Sequence, residues 1–361
     1  LTRAGRGYRR AMSASDLVEL DVRTVGAQGD GVAEGPRGPV FAPLTLPGER
    51  VRAKLNGDRA EVVEILNASP DRIAPVSPHY GACGGCSLQH WAAEPYLAWK
   101  REQVRLALLR ERLEPEILPV VATPPASRRR LALHARQRKG RDAAIGFKAR
   151  RSWSLVEVET CPIARPEIVA AFPGLRRLAN AFFEHPKSAP TLHVTWTLSG
   201  LDVDVTGVEA RSGGLSADAR MTVAETAAAA DFARVTMGGE ILYQARPAWI
   251  RFGKATVALP PGGFLQAVEE AEAAMVGLTT EAVGDARFVA DLFCGAGAFA
   301  FRLAERANVL AADSAAPAIT ALKAALGTAP GLKPIQAEAR DLFRRPLTAE
   351  EMKRCEAIVF D

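Results

Sequence analysis

The stretch Ser77 to Trp91 reads SPHYGACGGCSLQHW and holds two cysteines, Cys83 and Cys86, on either side of a Gly-Gly pair. A Cys-x-x-Cys turn brings two thiols within reach of one metal ion or of each other. Cys161, which ends a strand-like run and precedes Pro162, is the distant residue that would make three thiolates. Three converging thiolates suit zinc completed by a histidine, or an iron–sulfur cluster. No strand–helix–strand pattern surrounds the pair, which argues against a redox dithiol. Cysteines in a loop with no ligand at all are the remaining alternative.

A second constellation lies near the other end. An apolar run, Phe288 to Leu292, leads into Gly295-Ala-Gly297, and a helix is predicted from about Phe299. A strand–glycine turn–helix brings backbone close to a ligand and aims a helix N-terminus at it. Asp313 closes the next apolar run, NVLAAD, where a carboxylate is placed to accept hydrogen bonds from a ribose diol. The candidate ligands are a dinucleotide and S-adenosylmethionine (SAM), against a purely structural turn. Asp291 just before the turn, and the loose form GAGAFA, favour SAM, whose cationic end has no pyrophosphate to cradle. Cys294 inside the turn reads as a small packing residue, and Cys355 as incidental.

A third feature is a charge run. From Arg128 to Arg151 the chain carries ten Lys or Arg and one acid, Asp142. The bland reading is a solvated face or tail. Against it, Leu131, Leu133, Ala135, Ala144, Ile145 and Phe147 alternate as in a β-hairpin with its turn near Arg138-Lys139-Gly140. Cations on one face of such a hairpin suit a phosphate backbone, with Arg128, Arg129, Arg130, Arg136, Arg138 and Lys139 as the RNA-binding candidates.

The elements that must position these groups fall into four segments. Residues 1–15 form a basic arm without an apolar core, so not a secretory signal. Residues 16–74 show short alternating runs between Gly- and Pro-rich turns, the pattern of a small barrel, and SPDRIAPVSP reads as a linker. Residues 75–262 are mostly β, with a helix over 94–114 carrying an apolar stripe (Tyr96, Leu97, Val104, Leu106, Leu108, Leu109) and a helical stretch near Ile168 to Phe183. Residues 263–361 open with an Ala-rich helix over Gln266 to Leu278 and then alternate strand and helix, as in a doubly wound α/β domain. At 361 residues, 48% hydrophobic and 24% charged, the chain is an ordinary globular multidomain protein. No run of about 18 consecutive apolar residues suggests a membrane-spanning helix. Five cysteines point to a reducing, cytoplasmic setting and not to a disulfide framework. The net charge of +5 is concentrated in the basic run. No membrane association and no obligate protein partner is expected.

With those parts laid out, the chain resembles the RNA uracil-C5 methyltransferases, particularly their 23S ribosomal RNA branch. The resemblance covers about residues 16–361. It is carried by Cys83-Gly-Gly-Cys86 with Leu88-Gln89-His90, by Thr160-Cys161-Pro162-Ile163, by Phe264-Leu265-Gln266, and by Asp291 to Gly297 (DLFCGAG). It implies a multidomain α+β fold: an OB-like TRAM barrel, a central β-rich domain with a cysteine cluster, and a Rossmann-like SAM domain. It implies that Gln266, Phe293, Gly295, Gly297, Asp313 and Asp361 contact SAM or the target base. The region Glu338 to Asp341 would face the adenine, and the helix at 94–114 would pack on the catalytic domain. It implies a 4Fe–4S cluster on Cys83, Cys86 and Cys161.

The departures from the family pattern are specific. Ser77 stands where the first cluster cysteine is expected, so the ligand set is incomplete, and a serine oxygen is a poor ligand for iron. Ala298 and Val268 stand where some members of the family carry an Asn. The family continues beyond Asp361 into Pro-Pro-Arg, a nucleophilic cysteine and a general base, so the sequence reads as truncated, with no catalytic residue inside it. In the family reaction the cysteine adds to uracil C6, C5 takes the methyl group, and a base removes the C5 proton. The alternatives are a transfer-RNA uracil-C5 methyltransferase, or a non-catalytic RNA-binding protein derived from this family. On this reading the quoted polypeptide binds RNA without methylating it.

Overall fold

The computed structural model describes residues 17–209 and 214–360; the basic arm and Asp361 lie outside the described residues. The chain divides into two compact units at Val120/Val121.

In the first unit, β1 (Leu17–Val25), β2 (Asp30–Gly35), β3 (Gly38–Pro43), β4 (Arg50–Asn56) and β5 (Arg59–Asn67) close a barrel in the order β1-β2-β3-β5-β4. Strand alternation buries Leu20, Val22, Val51 and Ala53 inside it. On the outside Arg50 pairs with Glu19 at 2.8 Å and Arg52 with Glu64 at 2.7 Å. Closure leaves no open sheet edge.

The segment expected to be a linker is anchored instead. Arg72 donates to Glu49 (2.5 Å) and to the Leu44 carbonyl (2.8 Å), and its backbone bridges to Trp91. The Glu49 side chain is fully buried and also accepts from the Leu46 and Ser69 amides at 2.9 and 3.3 Å. Burial pushes the Glu49 carboxyl up, but Arg72 and the two amides outweigh it and hold the group below its ordinary 4.5. A depressed carboxyl stabilises the fold fully above its unfolded value, and that contribution is lost as pH falls through the folded value. Glu49→Gln should therefore cost about 3 kcal/mol at pH 7, where it breaks a buried pair. The cost should shrink on acidification, as read from urea unfolding followed by Trp91 and Trp99 fluorescence. An equal cost at pH 7 and below pH 4 would refute the assignment.

After this segment comes α1 (Ala93–Arg110), which has no buried residue. Much of its predicted apolar stripe does not seat it on the barrel: Val104, Leu106 and Leu109 are exposed. Tyr96, the first residue of that stripe, and Trp99 cluster with Trp91 against Val25 and Leu46, and the Trp99 indole donates to the Val25 carbonyl at 2.9 Å.

The second unit begins with β6 (Arg130–Arg136), β7 (Ala144–Lys148) and β8 (Leu155–Glu157). The expected single helical stretch is two helices, α2 (Pro166–Ala170) and α3 (Phe172–Asn180), interrupted at Ala171 where Pro173 opens the second. There follow β9 (Thr191–Thr197), β10 (Gly200–Thr206), an unanticipated helix α4 (Ala217–Ala229) capped by Ser216, β11 (Arg234–Met237) and β12 (Glu240–Gln244). These strands form one sheet in the order β12-β11-β10-β9-β6-β7-β8, antiparallel except for β10–β11, which α4 connects. Leu131, Leu133, Leu192, Val194, Val203 and Val235 pack on one face with Ile168, Leu175, Leu178 and Val223 of the helices. Alternation sends Arg130, His134, His193, Asp202 and Asp204 to the opposite face.

A hairpin of β13 (Trp249–Phe252) and β14 (Ala255–Ala258) leads into α5 (Glu269–Val283). The remaining elements are β15 (Phe288–Leu292), α6 (Ala300–Leu303), β16 (Asn308–Asp313), α7 (Ala316–Ala325), β17 (Ile335–Ala339), α8 (Ala349–Met352) and β18 (Ala357–Phe360). The four strands are parallel, in the order β17-β16-β15-β18. That order reverses direction at β15, and ligands of open α/β sheets bind outside the carboxyl ends of the strands at such a switch. Among the described residues no helix is long and apolar enough to cross a membrane.

Candidate active site

The glycine turn sits at that switch, at the carboxyl end of β15. Phe293 takes a left-handed φ of 62°, uncommon for a side chain of its size, and Gly295 and Gly297 are left-handed at 54° and 98°. A Cβ on Gly297 would also lie 2.9 Å from the Phe301 ring, so only glycine lets α6 close onto the strand. The Cys294 amide donates to the Ala312 carbonyl (3.2 Å), and the Gly297 amide to the Cys294 carbonyl (2.9 Å).

Asp313 locks the turn from β16. Its two oxygens accept from the Gly295 amide (2.8 Å) and the Ala315 amide (2.7 Å). It also lines a cavity of about 500 Å³, together with the loop Leu259 to Phe264, Phe293, Gly295, Ala315 and Pro317. A second, smaller cavity shares Phe264, Phe293, Gly295 and Ala296 with the first and reaches Gln266, Glu272 and buried Asp291. The fold thus brings Gln266, Phe293, Gly295 and Asp313 to one crevice. Gly297 lines neither cavity, and Asp361 lies outside the described residues.

The donor set suits a nucleoside with a cationic tail. Asp313 retains acceptor capacity on both oxygens, as ribose hydroxyls would need, and Asp291 places a second carboxylate at the smaller cavity, as a cationic group would need. Phe264, Phe293 and Phe343 supply exposed ring surface at the mouth; Phe343, 90% exposed, lies 5.5 Å from the Phe293 ring. Nothing in the sequence singled out Phe343, because its contact with Phe293 is long-range. Burial, reinforced by Asp291 and Asp313, holds the Cys294 thiol well above the usual thiol range, so it packs and does not attack. Burial pushes the Cys355 thiol up as well.

The basic hairpin forms, with His134 opposite Gly146 and Arg136 opposite Ala144. Arg128, Arg136 and Lys139 are exposed. Arg138 is tied to Glu157. Arg130 is half-buried and lies over the Phe264 ring at 5.7 Å. Arg129 does not serve as a phosphate contact: it is 5% exposed, and its guanidinium meets Glu272 at 2.8 Å and the Gln266 carbonyl at 3.0 Å. Burial pushes the Glu272 carboxyl up, with Arg129 opposing. Arg129 instead ties β6 to the loop that carries Gln266.

The expected metal site is not supported. Among the described residues no group of three or more His, Cys, Asp or Glu is placed to hold a metal ion. Cys83 and Cys86 are half-buried in the first unit, the Cys83 sulfur accepting from the Gly85 amide at 3.4 Å. The Ser77 hydroxyl accepts from the His79 amide at 3.2 Å and so closes its own turn. Cys161 lies in the core of the second unit.

No protein-family model matches the chain. An uncharacterized RNA methyltransferase of Caulobacter vibrioides is 62% identical over 347 residues, covering 96% of this chain and 84% of that protein. A 23S rRNA (uracil(1939)-C(5))-methyltransferase of Alkalilimnicola ehrlichii is 30% identical over 343 residues, covering 87% of this chain and 74% of that protein. The chain belongs to the RNA uracil-C5 methyltransferase family. Among solved structures, a Pyrococcus abyssi tRNA (uracil-54, C5)-methyltransferase in complex with S-adenosyl-L-homocysteine matches with a TM-score of 0.61. It is 20% identical and covers 89% of this chain and 79% of that one, a likeness of fold. As a member of the RNA uracil-C5 methyltransferase family the chain is a SAM-dependent enzyme, which accords with the acid-lined crevice at β15.

Proposed function

We propose that this methyltransferase acts on C5 of a uracil in 23S ribosomal RNA, in the cytoplasm. In this reading the barrel is a TRAM-like RNA-binding module and the parallel sheet a Rossmann-like SAM domain. The observation that carries it is the Asp313–Gly295 lock beside the Gln266 loop, in a chain 30% identical to a 23S uracil methyltransferase. Bound SAM would supply the methyl group. Asp313 would hold the ribose, Asp291 would balance the cationic end, and Gln266 and Phe293 would face the cofactor and the extruded base. Extruding a uracil costs about a few kcal/mol, which aromatic surface at the mouth offsets. Arg128, Arg136 and Lys139 would contact phosphates. Neither Cys294 nor Cys355 has the lowered pKa that a thiolate adding to C6 requires, so neither is assigned that role.

The test supplies the full-length protein with tritiated SAM and separate 23S rRNA and tRNA transcripts, then digests to nucleosides. Tritiated 5-methyluridine from 23S rRNA alone is expected. Label in tRNA alone would replace the ribosomal reading with the transfer-RNA one, and label in neither would sink both.

A further inference from the structure

The turn joining β7 to β8 carries a side chain with no role in the site described above. Trp153 is 86% exposed, whereas Trp91 is 7% and Trp249 37% exposed. Tryptophan is highly buried on average, so a ring this exposed stands out. The ring is not on a loose loop. The Ala149 amide donates to the Ser154 carbonyl (2.8 Å), the Ser152 amide to the Ala149 carbonyl (3.1 Å), and the Ser154 amide to the Ser152 hydroxyl (3.1 Å). Arg151 takes the left-handed φ of 53° that tightens the turn. Below it, β7 and β8 lie so close that a Cβ on Gly146 would meet the Val156 carbonyl oxygen at 2.0 Å.

Lys148 holds the ring from one side, its ammonium 3.8 Å from the Trp153 centroid. Lys148 shares a strand face with Gly146, which pairs with His134, so the ring stands at the end of the polar face of the sheet. Arg150 and Arg151 precede it in the chain, at the end of the basic run. An aromatic face set among cations is the combination that takes an unpaired base and its phosphates, because every base has a π-face.

Resting on the RNA reading above, we propose that Trp153 is a stacking post for an unpaired base of the substrate RNA, outside the crevice that takes the target uracil. Lys148 fixes one face of the indole and leaves the other for the base. Unpaired RNA is the ligand; a duplex, whose bases are already stacked, offers no free face.

The experiment compares the wild-type chain with Trp153→Ala and Trp153→Phe, binding a short single-stranded RNA and the same strand annealed to its complement. Trp153→Ala should lose about tenfold in single-strand affinity, as expected for one stacked base. Its duplex affinity and its salt dependence should hold, since no phosphate contact is removed. Trp153→Phe should restore most of the loss, and single-strand binding should quench a fluorescence component that Trp153→Ala lacks. Unchanged thermal unfolding of both variants checks the fold. Single-strand affinity equal to wild type in Trp153→Ala overturns the stacking post while leaving the RNA reading standing. An equal loss for single strand and duplex overturns it too, because it would mark a general electrostatic or structural effect. A wild-type chain that binds neither RNA overturns the RNA reading and this inference with it.

Discussion

Replacing Arg129 with alanine will destabilise the second unit by about 3–5 kcal/mol, the cost of stranding one member of a buried ion pair. Its guanidinium is the closest cation to Glu272, which is itself only 7% exposed and whose carboxyl burial already pushes up. Of the three further ties at this position, only the guanidinium bond is lost in the variant, and it adds to the effect. The Arg129 amide donates to the Ala267 carbonyl at 2.7 Å, its guanidinium to the Gln266 carbonyl at 3.0 Å, and its carbonyl accepts from Trp196 at 2.8 Å. The side-chain loss will therefore also loosen the Gln266 loop and weaken cofactor binding. A carboxyl raised in the folded state favours folding below its unfolded value and loses that advantage as pH rises through the folded one. The Arg129→Ala deficit should accordingly be smallest below about pH 4.5 and largest at neutral pH. Arg129→Met combined with Glu272→Leu should recover most of the stability, because a buried pair exchanged for apolar side chains is often neutral. Calorimetric unfolding at two pH values decides it; a loss under about 1 kcal/mol, the range of an exposed pair, would show that Arg129 holds nothing.

Asp313→Ala should lower affinity for S-adenosylhomocysteine by about a hundredfold, since hydrogen bonds to a charged group each contribute about 1.5–3 kcal/mol. The carboxylate has two duties that the variants separate. Alanine removes the carboxylate proposed to accept from the ribose and also frees the Gly295 and Ala315 amides, so the turn loses its lock. Asparagine keeps one acceptor oxygen and should fall between alanine and wild type. Titration calorimetry with S-adenosylhomocysteine measures both. Wild-type affinity in Asp313→Ala would move the ribose elsewhere in the crevice.

What the sequence made legible was local. The run Phe288 to Leu292, the two glycines and Asp313 announce themselves because strand, turn and helix each follow from adjacent residues, and the register of parallel strands then brings Asp313 to Gly295. The hairpin around Gly140 was readable for the same reason. The inward turn of Arg129 was not. Arg128, Arg129 and Arg130 look alike in the chain, and only strand alternation plus an acid on α5 decides which one is buried. The helix at α1 misled for a related reason: its leucines have helical spacing, yet the contacts that seat it come from Trp91, Tyr96 and Trp99, whose partners Val25 and Leu46 lie on the distant barrel. The cysteine motif carried a ligand set through the family resemblance, and no group of three or more His, Cys, Asp or Glu among the described residues answers to it.

The strand order of the parallel sheet has a bearing on how the protein is made. β15 is hydrogen-bonded on one side by β16, its near neighbour in sequence, and on the other by β18, which begins only at Ala357. As the chain leaves the ribosome, at about 5–20 residues per second, the free side of β15 waits on the order of seconds for that strand. During the wait the nascent sheet presents an apolar edge able to pair with any extended chain nearby. Yield in cells should then depend on chaperones that cover the nascent chain and on translation speed between Leu292 and Ala357 more than on the stability of the finished fold.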